Sequence, residues 1–439
     1  MPQHRQGKIA PMRLMPLAAV TVILLAFAPL SARAESLREM LDQMLPGHNR
    51  MKAAEADVTG AENLLEVARG NWYPTLTTTV DYGYESQNKP SGSQDTDAYL
   101  KRYELQIKQL LWDFGAANAN IDKAELAKIQ AEATKTGARQ ALVLEAVTAY
   151  INLVRTQRQV DFARESEANI RKQTGLEQAR VDRGSGLSTD VLQAKTQLAG
   201  AEASRVAAEG ALATAQNRFR AVFGRAPAQV STMALPPVPA DVLPAQLDEA
   251  TAIAKTGSIQ LKLAKLAADS AAKTAQATEA TLYPRLDLIG EARNKQNYGG
   301  TMGNQTEQVA KVELTYPLNL GFTVVNSIRS ADSAVNAANA RLADAHDIVE
   351  EQVRNAWENL ATQKSRADFL KNQSNIANEF LTLARKERSL GNRSLIDVLA
   401  GETALINANS AAAVADADVS IAAFTLLSTM GRLDENAVR

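Results

Sequence analysis

A ten-residue stretch occurs twice in this chain, and each copy breaks a long helical pattern in the same way. Arg183-Gly184-Ser185-Gly186-Leu187-Ser188-Thr189-Asp190-Val191-Leu192 returns as Leu390-Gly391-Asn392-Arg393-Ser394-Leu395-Ile396-Asp397-Val398-Leu399. Glycine supplies the backbone freedom for a reversal, and Ser, Thr and Asp are the residue types that cap a new helix. Each copy predicts the tip of a helical hairpin, with Asp190 and Asp397 as caps of the restarted helix. Behind the first tip, Val191, Ala194, Leu198, Ala201, Arg205, Ala208, Leu212, Ala215 and Phe219 step by three and four. Val398, Gly401, Leu405, Ala408, Ala412, Ala415, Val419, Ala422 and Leu426 do the same behind the second. A coiled-coil seam written twice forces one duplicated architecture on the whole chain.

Upstream of each tip the hydrophobic period changes. Residues 36–70 read as helical, with Leu37, Met40, Leu41, Met44 and Leu45 on one face. After Trp72-Tyr73-Pro74 the period falls to two. Leu76, Thr78, Val80, Tyr82 and Tyr84 face one way; Thr75, Thr77, Thr79, Asp81 and Gly83 face the other. A polar loop over 86–97 leads to a second alternating run, Tyr99, Tyr103, Leu105 and Ile107 against Arg102, Glu104, Gln106 and Lys108, ending at Trp112-Asp113-Phe114-Gly115. The second half repeats this order. A helix over 247–281 leads to Tyr283-Pro284-Arg285-Leu286, which echoes Tyr73-Pro74-Thr75-Leu76. Leu286, Leu288 and Ala292 alternate with Arg285, Asp287, Glu291 and Arg293; after a loop over 294–308, Ala310, Val312, Leu314 and Tyr316 alternate with Lys311, Glu313 and Thr315. Runs of about ten residues with Tyr and Trp at their ends match tilted outer-membrane strands.

The stretches 116–183 and 322–390 contain no proline. A continuous helix over either would approach ~100 Å at 1.5 Å per residue, a reach that suits a rod across the periplasm. Pro227, Pro236, Pro237, Pro239 and Pro244 mark a joint between the halves. The expected organisation is a signal peptide over 1–34, a first repeat over 35–226, a proline-rich linker over 227–246, a second repeat over 247–431 and a C-terminal tail over 432–439.

Composition excludes several functions. A net charge of -1 without a single-sign patch gives no electrostatic support for nucleic acid. The absence of cysteine excludes disulfides, thiolate zinc sites, cysteine nucleophiles and an N-terminal lipid-modified cysteine. His4, His48 and His346 are scattered without ligand spacing. No enzyme activity and no cofactor is expected. Arg205, inside a seam, reads as an interhelical pairing residue. At the N-terminus Arg5, Lys8 and Arg13 precede an apolar run over 14–30 and then Ala32-Arg33-Ala34, the order of a secretory signal cleaved before Glu35. Pro16 and Pro29 leave that run shorter than a spanning helix, and no other long apolar helix is expected downstream.

The duplicated order of helix, strand, loop, strand, long helix, tip and helix, both tip sequences, and the Tyr-Pro-x-Leu strand starts resemble the TolC family of outer-membrane channels. The resemblance covers nearly all of the chain beyond the leader. It implies a fold that is mainly α with transmembrane β. Three chains would give four strands each to one twelve-stranded β-barrel, continued by a long α-helical periplasmic barrel. Four strands cannot close a barrel alone, so an oligomer is required on physical grounds too. The resemblance further implies a cell outer membrane location with a periplasmic extension. Its implied partners are the homotrimer's other copies, outer-membrane lipid, a periplasmic adaptor (membrane fusion) protein, and an inner-membrane ABC or proton-driven transporter. The implied function is export, with type I protein secretion foremost because the lipoprotein members commonly dedicated to efflux carry a cysteine that this chain lacks. Multidrug efflux is the alternative. A structural periplasmic coiled-coil adaptor is a reading of another class, but it predicts a single hairpin and leaves the duplication unexplained.

The family's periplasmic gate carries over by position. Arg393 and Asp397 match an arginine four residues before an aspartate at the second tip, and Thr189 and Asp190 match the first tip's gate partners. Arg388 stands where the family has a tyrosine paired with that aspartate. Ala400 stands where a second aspartate would complete a constricting ring, with Glu402 nearby. The resemblance implies that Arg393 bonds Thr189 and Asp190 of a neighbouring hairpin while Asp397 narrows the pore. Gly184, Gly186, Leu187, Gly391 and Leu395 are the expected adaptor-binding tip residues.

Overall fold

The computed structural model describes residues 36–90, 94–318 and 320–438; the signal-peptide reading of 1–34 lies outside the described residues. In the first half, α1 (Leu37–Gly47) and α2 (Asn49–Gly70) lead to strands β1 (Thr75–Gln87) and β2 (Thr96–Trp112). Helix α3 (Ala116–Asp182) then runs to the first tip and α4 (Ser188–Phe223) returns. The second half comprises α5 (Leu247–Gly257), α6 (Ile259–Ala280), β3 (Arg285–Gln296), β4 (Asn304–Thr315), α7 (Thr323–Ser389) and α8 (Leu395–Thr429). Helices α3 and α7 have 67 residues each, about 100 Å of rod.

The first helix of each half differs from the expectation of one continuous element. Residues 36–70 form two helices because Pro46-Gly47 leads into His48, whose backbone is extended at φ -72° and ψ 133°. The His48 Nδ1 then accepts the Arg50 N–H at 3.2 Å and starts α2. Residues 247–281 break at Ser258 for a tertiary reason. A Cβ on Gly257 would lie 2.7 Å from the Met430 carbonyl oxygen, so the chain end crosses against bare backbone there. Residues 432–438 are docked on the helices: Leu433, Ala437 and Val438 are buried, and Arg139 pairs with Glu435.

The main core lies where these crossing elements meet the middle of the long helices. Leu142, Val147, Ile151 and Val154 of α3 meet Phe219 of α4, Val353 of α7, Phe424 and Leu427 of α8, and Leu41 of α1. Phe219 stacks on Phe223 with ring centroids 4.2 Å apart. Toward the tips the core thins to two small clusters, one of Ile170, Ala194, Leu395 and Leu399, the other of Leu381, Ala384 and Val398.

Both seams face inward, but their helices are buried differently. In α4 the buried residues include Val191, Ala194, Ala215 and Phe219, all of them seam positions. In α8 burial extends off the seam to Ala413, Ala417, Ala423, Phe424 and Leu427, because α8 packs on α3 as well as α7. This alanine-rich packing makes α8 long and apolar enough to cross a membrane by length and composition, contrary to the expectation of no such helix. More than half of its apolar window is buried inside the chain, as in a core helix.

The strands form one antiparallel sheet in the order β1-β2-β3-β4. Val80 pairs Tyr103, Glu104 pairs Arg293, and Arg293 pairs Glu307, so like faces align across all four strands. Strands β1 and β4 are the edges, and among the described residues neither has a partner on its outer side.

Candidate functional site

The sheet presents its faces in the reverse of a soluble protein. Leu76, Val80, Tyr82, Tyr84, Tyr99, Leu105, Ile107, Val312 and Leu314 are exposed. The charged residues on the opposite face are half-buried among one another. Arg102 pairs with Asp81, Arg293 reaches Glu104 at 3.2 Å and pairs with Glu291, and Lys295 reaches Glu307 at 2.9 Å. Asp287, only 1% exposed, is held by Lys108 at 3.1 Å and Arg285 at 3.0 Å. A polar lumen on one side and hydrocarbon on the other accounts for this arrangement.

Aromatic rings bracket the apolar face at both ends. Tyr82 and Tyr84 meet Tyr99 at 5.9 and 5.4 Å between centroids; at the helix end Phe114 meets Trp112 at 6.1 Å and Tyr283 at 4.8 Å. An apolar band between two aromatic girdles is the pattern of an outer-membrane barrel.

At the other end of the long helices, Gly184 and Gly391 turn each tip with φ of 73° and 83°, where an L side chain would be strained. Gly186 is needed for another reason: a Cβ there would lie 2.9 Å from Val181 Cγ2. The capping expectation needs correction. Helix α8 is capped by Ser394, whose Oγ accepts the Asp397 N–H at 3.1 Å, and α4 has no side-chain cap. Asp190 and Asp397 sit in the first turns, where they favour the helix dipole yet keep their carboxylates free of capping duty. Leu187 is exposed, whereas Leu395, also read as a docking residue, is 1% exposed and packs on Ile170, Ala194 and Leu399. Leu390 and Ile396 are the exposed apolar residues of the second tip.

The charged tip residues pair within the chain. Arg393 donates to Glu387 at 2.8 Å, lies 3.6 Å from Asp397, and covers the Phe380 ring at 5.0 Å. Among the described residues no hydrogen bond joins Arg393 to Thr189 or Asp190 of the same chain. Arg388 donates to Glu177 at 2.7 Å and to the Arg393 carbonyl at 3.1 Å. Glu177 is buried and also receives Arg180 at 3.0 Å. Glu402, expected near the thinned ring, is buried and held by Arg385. It therefore does not stand in for the carboxylate missing at Ala400, which is exposed. Sequence reasoning missed Glu177 and Arg385, whose partners are far away in sequence or hidden by a shared helix-rich composition.

Above the first tip, Arg205 pairs with the buried Glu167 and reaches Glu209 at 2.7 Å, so it is an interhelical pairing residue. Hydrogen bonds from Arg164, then Arg205, hold the Glu209 carboxyl below the usual carboxylate range. Among the described residues no cluster of His, Asp and Glu could hold a metal ion.

Comparison with known proteins decides the family. The model of the family described as outer membrane efflux protein matches residues 40–225 and 253–432. The chain belongs to this family. The outer membrane efflux protein BepC of Brucella suis is 25% identical over 406 residues, covering 92% of this chain and 87% of the relative. The alkaline protease secretion protein AprF of Pseudomonas aeruginosa is 24% identical over 372 residues, covering 84% and 76%. The solved structure of the outer-membrane channel OprN superposes with a TM-score of 0.79 at 20% identity, over 90% of this chain and 89% of that one. The fold is TolC-like: four strands per chain of a trimeric twelve-stranded barrel, continued by a periplasmic helical barrel. This member of the outer membrane efflux protein family is an outer-membrane channel with a periplasmic extension, and the relatives named here are channels and secretion components.

Proposed function

We propose that the chain is the outer-membrane duct of a type I protein secretion system, receiving its cargo from an inner-membrane ABC transporter through a periplasmic adaptor protein. The observation that carries the duct is the sheet with exposed apolar and half-buried charged faces, mounted on two hairpins that each contain one 67-residue helix. Protein secretion is favoured by the absence of cysteine and by the likeness to a protease secretion protein. Drug efflux by a proton-driven pump is the second reading, favoured by the likeness to BepC. Crosslinking in cells followed by identification of the inner-membrane partner tests the choice: an ABC transporter supports the first reading and a proton-driven pump the second.

The closed resting state is part of this reading. Three copies of each tip, gathered on a three-fold axis, bring Thr189, Asp190, Arg393 and Asp397 into one ring, with Arg388 behind them. Arg393 bonds a neighbouring subunit's tip through the guanidinium N–H groups that Glu387 does not hold, so opening breaks the contact between subunits while the one within the chain persists. Leu187, Gly184, Gly186 and Gly391 form the adaptor-facing rim together with Leu390 and Ile396, which take the place expected of Leu395. Along α7 and onto its C-cap, Phe369, Ile376, Leu383 and Leu390 recur at every seventh position and are exposed. A heptad stripe of this kind is the seam through which one subunit joins the next.

A further inference from the structure

The turn between β3 and β4 does not project away from the sheet. It folds over the charged face and crosses β2 to reach β1. Asn297 bends the chain with φ 49°, its N–H donates to the Gly303 carbonyl at 2.9 Å, and its side chain accepts the Gly303 N–H at 2.9 Å. The Gly299 N–H then donates to Glu85 at 3.0 Å, and Lys89 donates to the Gly300 carbonyl at 2.6 Å. Gly299 and Gly300 have φ of 62° and 70°, and a Cβ on Gly300 would collide with the Gln87 side chain, so the sequence is shaped for this close crossing.

Between the two ends of the crossing sits Tyr298. Its ring lies 5.3 Å from the Arg102 guanidinium and 5.7 Å from the Lys295 ammonium. Both cations are half-buried and paired, Arg102 with Asp81 and Lys295 with Glu307, so the ring is clamped onto groups that the sheet already holds still. All of these partners lie on the charged face, and the crossing is at the strand ends remote from the long helices.

We propose that Tyr298 is a width-determining residue of the channel's outer exit, its turn strapped across the lumen in each subunit by Arg102, Lys295, Glu85 and Lys89. The inference rests on the charged face lining the lumen. Three straps related by the trimer axis narrow the mouth from three sides, so cargo passes only as the straps lift. The strap is released by breaking two cation–π contacts and three hydrogen bonds, those of Gly299 to Glu85, of Lys89 to Gly300 and of the Asn297 side chain to the Tyr99 carbonyl, whose polar groups water can satisfy.

The chain has no cysteine, so a single Gln106→Cys thiol, placed on the charged face below the strap, is the sole reactive sulfur. The test uses assembled trimers in intact cells, with reagents added from outside. A small quaternary-ammonium thiosulfonate should label the thiol quickly whatever residue stands at 298. A maleimide carried on a long polyethylene glycol chain should react slowly with Tyr298 in place, and about tenfold faster with Tyr298→Ala, the population change expected on losing two partly desolvated cation–π contacts. Tyr298→Phe keeps the ring and should behave as the native residue. Equal rates for the bulky reagent in the native and Tyr298→Ala trimers would overturn the strap, whether both are fast or both slow. Failure of the small reagent to reach the thiol would instead remove the lumen reading, and the strap with it.

Discussion

Arg388 of α7 donates from Nη2 to the Glu177 Oε1 of α3 at 2.7 Å, a bond between residues 211 positions apart. It ties the two hairpins of one chain together just above their tips. Glu177 is buried and Arg388 is mostly so, which leaves little water to replace the bond when it breaks. The link is internal to a subunit, whereas the contacts proposed for Arg393 run between subunits.

The two links should therefore respond differently. Arg388→Ala removes a charge-assisted hydrogen bond worth about 1.5–3 kcal/mol per subunit. It should raise resting conductance in planar bilayers while leaving ion selectivity unchanged. Arg393→Ser should also raise conductance. Asp397→Ala should lower cation preference, because a carboxylate ring at the mouth attracts cations. Unchanged conductance in both arginine variants would place the constriction elsewhere.

The faces of the sheet make a sharper contrast. Leu105→Arg puts a cation on the exposed apolar face and should cost about 2–4 kcal/mol at mid-bilayer, seen as lost assembled trimer. Gln106→Arg, one residue away on the charged face beside Glu291, should assemble at native levels.

How much of this could be read from the chain alone depends on the range of the interaction. Period and punctuation are local, so the strands and the ends of α3 and α7 fall within a few residues of the expected positions. The breaks at His48 and Ser258 are different in kind. Pro46-Gly47 could have signalled the first, but the second depends on Met430 and Gly431 arriving from the chain's far end. Leu395 looked like a tip residue because it follows the turn; it is buried because Ile170 and Ala194 of the other hairpin cover it. The Glu177 pair was hidden for the same reason, since nothing near either residue marks its partner.

Acid should loosen the α3–α4 seam. The folded Glu209 carboxyl titrates below its unfolded value because of Arg164 and Arg205. Its contribution is thus fully present above the ordinary carboxylate range, near ~4.3, and is lost as pH falls through the lower folded value. Thermal melts should show native protein and Glu209→Gln differing at neutral pH and converging at the acid end. A constant difference across the range would mean that this carboxylate contributes nothing through its charge.

The α7 stripe offers a test of the subunit seam. Ile376 is 58% exposed in the single chain, so Ile376→Glu should leave the subunit's own fold intact. Burial lost at the seam, about 1.5–3 kcal/mol per copy, should shift chemically crosslinked material from trimer toward monomer.

The unpaired outer sides of β1 and β4 also have a genetic consequence. A damaged edge is never private to the copy that carries it, because the neighbouring subunits must complete their ladders against it. In a cell making sound and damaged chains in equal amounts, random three-fold assembly leaves only about one ring in eight wholly sound. Missense changes at either edge should therefore behave as dominant, while deletion of the same gene stays recessive.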